Sequence, residues 1–346
     1  MPRSNDLSAS DCCIDISNLS SIDAAKKINA DRIHILIDVG DSTKDLEYEI
    51  FALKPAPIQV KLLGHPGTSG ATFIDYLITD KQCSPPNLNY LYTEKLAYLN
   101  RTVFFGDHRL LFNDLSQRNS QNRTNFNETM CNFESFNTSS MYSVEKLYTR
   151  QMYNLPENSI VYCYFGQPYK INQTTLNMWI TILKGVKNSV LWLLRFVEDT
   201  ENNIREYFEL NGINPVRIIF SNLAPKAEHL RRIQLADVYL DTPFYNGHKS
   251  CLDALWAGTP IVTLSGDSFV SRMTTSQLLA VNCTELIALV EFDYPRIAIQ
   301  LGKHTNLLNR IRQQIWRSKI TSALFDCESY CRELENLYLD MWKKLF

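Results

Sequence analysis

D-T-P-F-Y-N-G-H-K-S-C-L-D-A-L-W-A-G-T-P, residues 241–260, is the stretch whose reading decides the fold. An apolar strand carrying Val238 and Leu240 runs into a turn at Asn246–Gly247. A helix start follows at His248, Lys249 and Ser250, with the acid Asp253 one turn further in. A second glycine turn, Ala257–Gly258, leads to another strand, Pro260–Leu264. The start of a helix has unpaired N–H groups and the positive end of the helix dipole, so it suits phosphate. An acid one turn in can accept hydrogen bonds from a ribose. Strand, glycine turn, helix and strand in this order predict a nucleotide-diphosphate pocket at the carboxyl end of a parallel sheet.

Outward from this stretch the alternation continues. Apolar strands are expected at Ile160–Phe165, Ser189–Leu194, Val216–Phe220 and Val238–Leu240. Between them lie helical patterns at Thr174–Val186, opened by a threonine able to cap, at Glu201–Asn211 and at Lys226–Ala236. This is a doubly wound parallel sheet of the Rossmann kind, with a nucleotide-binding-type lobe over 151–296. Residues 297–346 read as helices, with apolar positions recurring at Leu334, Leu337, Tyr338 and Met341. Toward the N-terminus, 1–20 is polar and read as disordered. A short amphipathic helix is expected at 21–30, with strands at His34–Asp38, Pro55–Leu63, Ile78–Asp80 and Thr102–Phe105. The glycine-rich turn G-H-P-G-T-S-G at 64–70 precedes a helix or turn holding Phe73 and Tyr76. Residues 21–105 thus form an α/β lobe. The Asn- and Ser-rich stretch 106–150 reads as an irregular insertion.

The totals narrow the possibilities. A chain of 346 residues has room for about two domains. Its net charge of −2 gives no electrostatic case for nucleic acid or an anionic membrane. No apolar run reaches the ~18 residues of a membrane span, and the first residues lack the apolar core of a signal peptide. The nine cysteines are scattered without a C-x-x-C pair, which indicates neither a zinc site nor a disulfide framework. Free thiols in a reducing compartment are the expectation. The N-x-[ST] triplets at Asn122, Asn127, Asn137 and Asn172 are then chance matches. There is no D-x-D pair and no H-E-x-x-H, so no metal is required.

Three loops of the second lobe leave strand ends on one predicted sheet edge: 166–170, with Gln167 and Lys170; 221–226, followed by His229 and Arg232; and the turn before His248. Together they supply cations, an amide and a helix start, which is what a diphosphate leaving group needs. Each has an ordinary alternative. A lysine after a strand is often a solvated charge, His229 can be structural, and Asp253 can be a first-turn helix acid. His65, within the 64–70 turn, can donate, accept or shuttle a proton, or simply face solvent.

The motifs make the comparison sharper. H-P-G-T-S-G at 65–70, D-Y-x-I-T-D at 75–80, Y-x-E-K-L-A-Y-L at 92–99 and F-F-G-D-H at 104–108 resemble the catalytic region of the animal O-linked N-acetylglucosamine transferases. So do V-Y-C-Y-F-G-Q-P-Y-K-I at 161–171, S-V-L-W-L-L-R-F at 189–196, R-I-I-F-S-N-L-A-P-K-A-E-H at 217–229 and Q-L-A-D-V-Y-L-D-T-P-F-Y-N-G-H at 234–248. The likeness runs from about residue 20 to the C-terminus and lapses across 106–145.

The resemblance implies a GT-B fold of two Rossmann-like lobes. It also implies transfer of GlcNAc from UDP-GlcNAc to Ser and Thr of cytoplasmic and nuclear proteins, with inversion and without metal or cofactor. By motif match it makes Lys170 the main electrophilic helper, with Gln167 beside it at the sugar diphosphate. Ala224, Lys226, His229 and Arg232 fall on the uracil and ribose side. His248, Lys249 and Ser250 form the pyrophosphate turn, and Asp253 accepts the ribose. His65, Pro66 and Thr68 are the first lobe's contribution, His65 being the candidate base.

The departures are equally plain. The tetratricopeptide repeats and the histidine loop that begin such enzymes have no counterpart here, so the first lobe is expected to be incomplete, with an exposed sheet edge. In the phosphate turn, Lys249 stands where the family has threonine and Cys251 where it has glycine, a place of close backbone approach. The alternatives are therefore an inactive UDP-sugar-binding relative or protein-interaction module, and a transferase for another sugar such as fucose.

Overall fold

The computed structural model describes residues 13–40, 45–113 and 148–345, with side chains from 48 onward in the second of these stretches. The chain divides into two compact units: one runs to Val103 and resumes at Cys331, and the other is Phe104–Tyr330. Both are α/β, with parallel sheets, as the alternating pattern predicts. Among the described residues no helix is long and apolar enough to cross a membrane.

The first unit opens with α1 (Ser21–Ala30), whose N-terminus is capped by the Ser20 hydroxyl accepting from the Asp23 N–H at 3.1 Å. Then come β1 (Ile35–Asp38), α2 (Asp45–Ala52), β2 (Ile58–Leu62), β3 (Tyr76–Asp80) and β4 (Lys95–Leu99). The four strands pair in parallel in the order β1-β2-β3-β4, so β1 and β4 are the outer strands. Helix α11 (Cys327–Lys343) contributes its later turns to this unit. Glu333 accepts from the Asn100 N–H at 3.1 Å, and Trp342 meets His34 edge-on at 4.7 Å.

Three expectations are corrected here. Thr102–Phe105 is not a strand. It is an apolar loop, with Val103 and Phe104 buried and the Val103 N–H given to the Asp80 carboxylate at 2.8 Å. The strand is Lys95–Leu99 instead. Tyr76 begins β3 rather than sitting in a helix or turn.

The second unit contains α3 (His108–Leu111), β5 (Ile160–Tyr164), α4 (Gln173–Gly185), β6 (Ser189–Leu194), α5 (Glu198–Leu210), β7 (Ile218–Ser221), α6 (Lys226–Ile233), β8 (Val238–Leu240), α7 (Lys249–Trp256), β9 (Ile261–Leu264), α8 (Met273–Ala280), β10 (Ile287–Ala288), α9 (Asp293–Lys303) and α10 (Thr305–Thr321). Its sheet is wholly parallel in the order β10-β9-β8-β5-β6-β7. Counted from β5, this is the doubly wound order in which the chain turns back between the first and fourth strands. The reversal lies between β5 and β8, with Tyr162 opposite Val238.

Every residue of β6 is buried, as expected of a central parallel strand covered on both faces. Trp179, Trp192, Tyr162, Tyr239 and Tyr294 are fully buried in this unit, each contributing up to about 5 kcal/mol of burial. Their polar ends are satisfied: Trp192 donates to the Ser221 hydroxyl at 2.7 Å and Tyr294 to the Asp241 carbonyl at 2.7 Å. The outer strand β7 is covered on one side by Arg205 of α5, which donates to the carbonyls of Pro215 at 2.8 Å and Ile218 at 2.6 Å.

The cap of α4 is Asn172, whose carbonyl oxygen accepts from the Thr175 N–H at 2.9 Å, not a threonine. Residues 215–217 form a 3-10 turn ahead of β7 rather than part of it. Of the expected insertion at 106–150, residues 114–147 lie outside the described residues. Its first part differs from that expectation: α3 is ordered and His108 is buried.

Candidate functional site

In a parallel sheet all strands end on the same edge. The loops after β5, β7 and β8 therefore leave together, and β5 and β8 flank the reversal point. The element they share is α7. Its N-terminal side meets the β5 loop, where the Lys170 ammonium donates to the Asn246 carbonyl at 2.8 Å and lies 4.0 Å from the centre of the Tyr245 ring. Its Asp253 meets Lys226, which opens α6 after the β7 loop. Lys170, Lys226 and Asp253 are thus gathered around α7 and the turn before it, and Gln167 is exposed three residues before Lys170.

The turn before α7 is wound over a buried carboxylate. Asp241 Oδ1 accepts the Gly247 N–H at 2.7 Å, and Oδ2 accepts the Thr263 hydroxyl at 2.8 Å. Asn246 ties the turn further, giving its amide to the Thr242 carbonyl at 2.9 Å and taking the Thr274 N–H at 3.2 Å. Glycine is needed at 247 because a Cβ there would lie 2.5 Å from Cys251 Sγ and 2.6 Å from Ser250 Oγ. No side chain caps α7 at His248, so the first-turn N–H groups have no acceptor within the helix.

At the far end, Gly258 (φ +77°) closes α7 by donating to the Leu255 carbonyl at 3.0 Å, while Thr259 donates to that of Ala254 at 2.9 Å. This is the paired closure that glycine allows at a helix end. Lys319 of α10, fully buried, donates to the Trp256 carbonyl at 2.7 Å, and burial pushes its pKa down to about 6.

Electrostatics follow from burial. Burial lowers the Lys170 pKa, and the nearby Asp241 opposes that shift. Asp241 itself is raised by burial, against the hydrogen bond from Gly247. Burial pushes His248 down to about 4, with Lys249 and Lys170 adding to it, and its ring packs edge-on against Phe104 at 4.7 Å. His229 is likewise pushed down to about 4 by burial, which outweighs Asp253. Its 3.6 Å approach to Asp253 is therefore a polar contact rather than an ion pair near neutral pH. For Asp253 burial works upward, but the bonds from His108 and Lys226 outweigh it and hold the carboxyl below its ordinary value.

Lys249 is exposed and Ser250 half-buried at the start of α7. Ala224 is half-buried in the β7 loop. Arg232 is buried: it donates to the Asn222 carbonyl at 2.7 Å and lies over Phe165 at 5.3 Å, so it braces the β7 loop from beneath. Cys251 points inward, with its thiol 3.6 Å from Asp241, and is not on the face where the backbone would meet a ligand.

In the first unit, His65 is exposed on the 64–70 loop and Pro66 is half-buried. Thr68 donates to the Glu94 carboxylate at 2.7 Å, and the Ser69 N–H does so at 2.6 Å. These bonds outweigh burial and hold Glu94 below its ordinary pKa. Glycine at 64 is required by the Gly40 carbonyl, which a Cβ would approach to 1.8 Å.

Two residues escaped the sequence reading. Glu94 pins the 64–70 loop. His108 Nε2 lies 2.7 Å from Asp253 Oδ1, although 145 residues separate the two. Both sit inside quoted motifs, Y-x-E-K-L-A-Y-L and F-F-G-D-H, which was the signal available. Among the described residues no group of three or more His, Cys, Asp or Glu side chains is placed to hold a metal ion.

Comparison with known proteins identifies the family and the fold. The sequence model of glycosyl transferase family 41 matches residues 3–148 and 137–334. The chain is 38% identical over 423 residues to the UDP-N-acetylglucosamine--peptide N-acetylglucosaminyltransferase of Caenorhabditis elegans, covering 99% of this chain and 37% of the relative. It is also 38% identical over 330 residues to the probable UDP-N-acetylglucosamine--peptide N-acetylglucosaminyltransferase SEC of Arabidopsis thaliana, covering 95% and 31%. The chain thus spans about a third of the length of these relatives. Among solved structures, a variant of the Thermobaculum terrenum O-GlcNAc transferase superposes with a TM-score of 0.80 at 26% identity, covering 98% of this chain and 58% of that one. The fold is accordingly of the GT-B type. The chain belongs to glycosyl transferase family 41.

Proposed function

We propose that this chain is a catalytic region of a protein O-GlcNAc transferase. It takes UDP-GlcNAc as donor and Ser or Thr hydroxyls of proteins as acceptors, in the cytoplasm and nucleus. The observation that carries the reading is the convergence of the β5, β7 and β8 loops on α7 beside the sheet's reversal point. The relatives in worm and plant bear the name of that activity.

On this reading the acceptor oxygen attacks the anomeric carbon from the face opposite the phosphate. The bond to the β-phosphate oxygen breaks, UDP leaves and the configuration inverts. Charge develops on the departing diphosphate, where it meets the open N–H groups of α7 and the Lys170 ammonium. Lys170 has one donor on Asn246 and two others to offer. His248, held neutral near pH 7, contributes shape and hydrogen bonding rather than charge. Gln167 and Ser250 supply further polar contacts, with Lys249 as a mobile cation. Ala224, Lys226, His229 and Asp253 frame the nucleoside, and Arg232 braces that frame. In the first unit Pro66 and Thr68 shape the loop that carries His65, the candidate acceptor for the hydroxyl proton. No step calls for a metal.

The test is incubation with labelled UDP-GlcNAc and a Ser/Thr acceptor peptide, alongside calorimetric titration with UDP. Transfer that disappears in Lys170→Ala supports the reading. UDP binding without transfer would make the chain a donor-binding relative, and no binding at millimolar UDP would overturn the pocket itself.

A further inference from the structure

We propose that His108 is a positioning residue for the nucleoside: it fixes the Asp253 carboxylate so that one oxygen is committed to the protein and the other is left for a sugar hydroxyl. This rests on the UDP-binding reading above and deepens it.

Asp253 Oδ1 receives His108 Nε2 at 2.7 Å and the Lys226 ammonium. An ionised carboxylate only accepts, so Nε2 carries the proton in this bond. Among the described residues, Oδ2 faces His229 Nε2 at 3.6 Å, beyond hydrogen-bond range, and accepts no hydrogen bond. A side chain only 4% exposed therefore retains an oxygen without a donor.

The imidazole is itself tightly placed. It is 4% exposed, meets Phe325 edge-on at 5.5 Å and lies 6.0 Å from Trp256. Its Nδ1 is buried without a hydrogen-bond partner among the described residues, the Asp107 carboxylate being 4.0 Å away. Stability alone would be served as well by packed apolar side chains at both 108 and 253, since replacing a whole buried polar pair by hydrophobes is often neutral or better. What only a donor at Nε2 achieves is the orientation of Asp253. Lys226 cannot do this alone. Its side chain is 45% exposed and flexible, whereas the imidazole is planar and clamped.

Calorimetric titration of the full chain with UDP and with 2′,3′-dideoxy-UDP tests this, using wild type, His108→Ala and His108→Gln. Glutamine places an N–H near the position of Nε2. Wild type is expected to favour UDP over the dideoxy compound. His108→Ala should weaken UDP ~10-fold while leaving the dideoxy compound within about twofold, and His108→Gln should restore most of the preference. Equal weakening of both ligands in His108→Ala, or an unchanged preference, overturns the inference while leaving the UDP site intact. Wild type that binds neither ligand overturns the nucleotide reading and this inference with it. A folded His108→Gln keeps the test decisive if the alanine variant misfolds.

Discussion

The carboxylate of Asp241 accepts the Gly247 N–H at 2.7 Å from beneath the turn that leads into α7. The same carboxylate takes the Thr263 hydroxyl from the neighbouring strand, so one buried side chain joins two strand ends to the turn. Asp241→Ala leaves both donors unpaired in the interior and is expected to cost about 3 kcal/mol or more. Asp241→Asn can accept from Gly247 and donate to Thr263, and should cost less than about 1.5 kcal/mol. Urea unfolding of both variants checks this, and equal losses would contradict it.

Lys170 is expected to act on the departing diphosphate rather than on donor capture. Lys170→Ala should lower kcat by roughly 100- to 1000-fold, with little change in the donor KM. Steady-state kinetics with varied UDP-GlcNAc separates the two. A rise in KM at constant kcat would assign Lys170 to ground-state binding.

Acid should loosen the second unit. His229 and His248 titrate near 4 in the fold and near 6.5 when unfolded, so the folded state resists their protonation. Their stability contribution is complete above pH 6.5 and is lost as pH falls toward 4, by roughly 3 kcal/mol each at the limit. Asp253, held below its ordinary value, adds a loss at still lower pH, and Glu94 does the same in the first unit. Tm measured from pH 7 to 4 should fall, and His248→Asn should flatten the slope. A flat wild-type profile would refute the assignment.

Gly258 is fixed by conformation and by space. Its φ is +77°, and a Cβ would lie 2.2 Å from Trp316 Nε1. Gly212 has a similar φ of +79° with nothing within 4 Å. Gly258→Ala is expected to cost about 2 kcal/mol or more, and Gly212→Ala about 1 kcal/mol. The difference in Tm between the two variants isolates the contribution of Trp316.

Strands that are apolar almost throughout were plain in the sequence, β5, β6 and β8 among them, because a central parallel strand is covered on both faces. Lys95–Leu99 was hidden because an outer strand keeps half-exposed positions and begins with a charge. Thr102–Phe105 misled for the opposite reason: its apolar side chains are buried in a loop, and Asp80 rather than a neighbouring strand takes the Val103 N–H. The loop cations Lys170 and Lys226 could be placed once the strands were, since parallel order alone sets where strand ends lie. The bond between His108 and Asp253 could not, because no local pattern links positions 145 residues apart. Arg232 reads as a ligand contact from its motif, and the structure adds its bonds to Asn222 and His229, which no local pattern signals.

The guanidinium of Arg205 has a consequence for solubility. By occupying the Ile218 carbonyl, and that of Pro215 just ahead of it, the guanidinium takes up the first acceptor of β7 that a strand from another molecule could use. Arg205→Ala should therefore scatter light on warming below its own unfolding temperature, while the parent chain stays clear. A single side chain would then separate a sheet that ends cleanly from one that seeds aggregation.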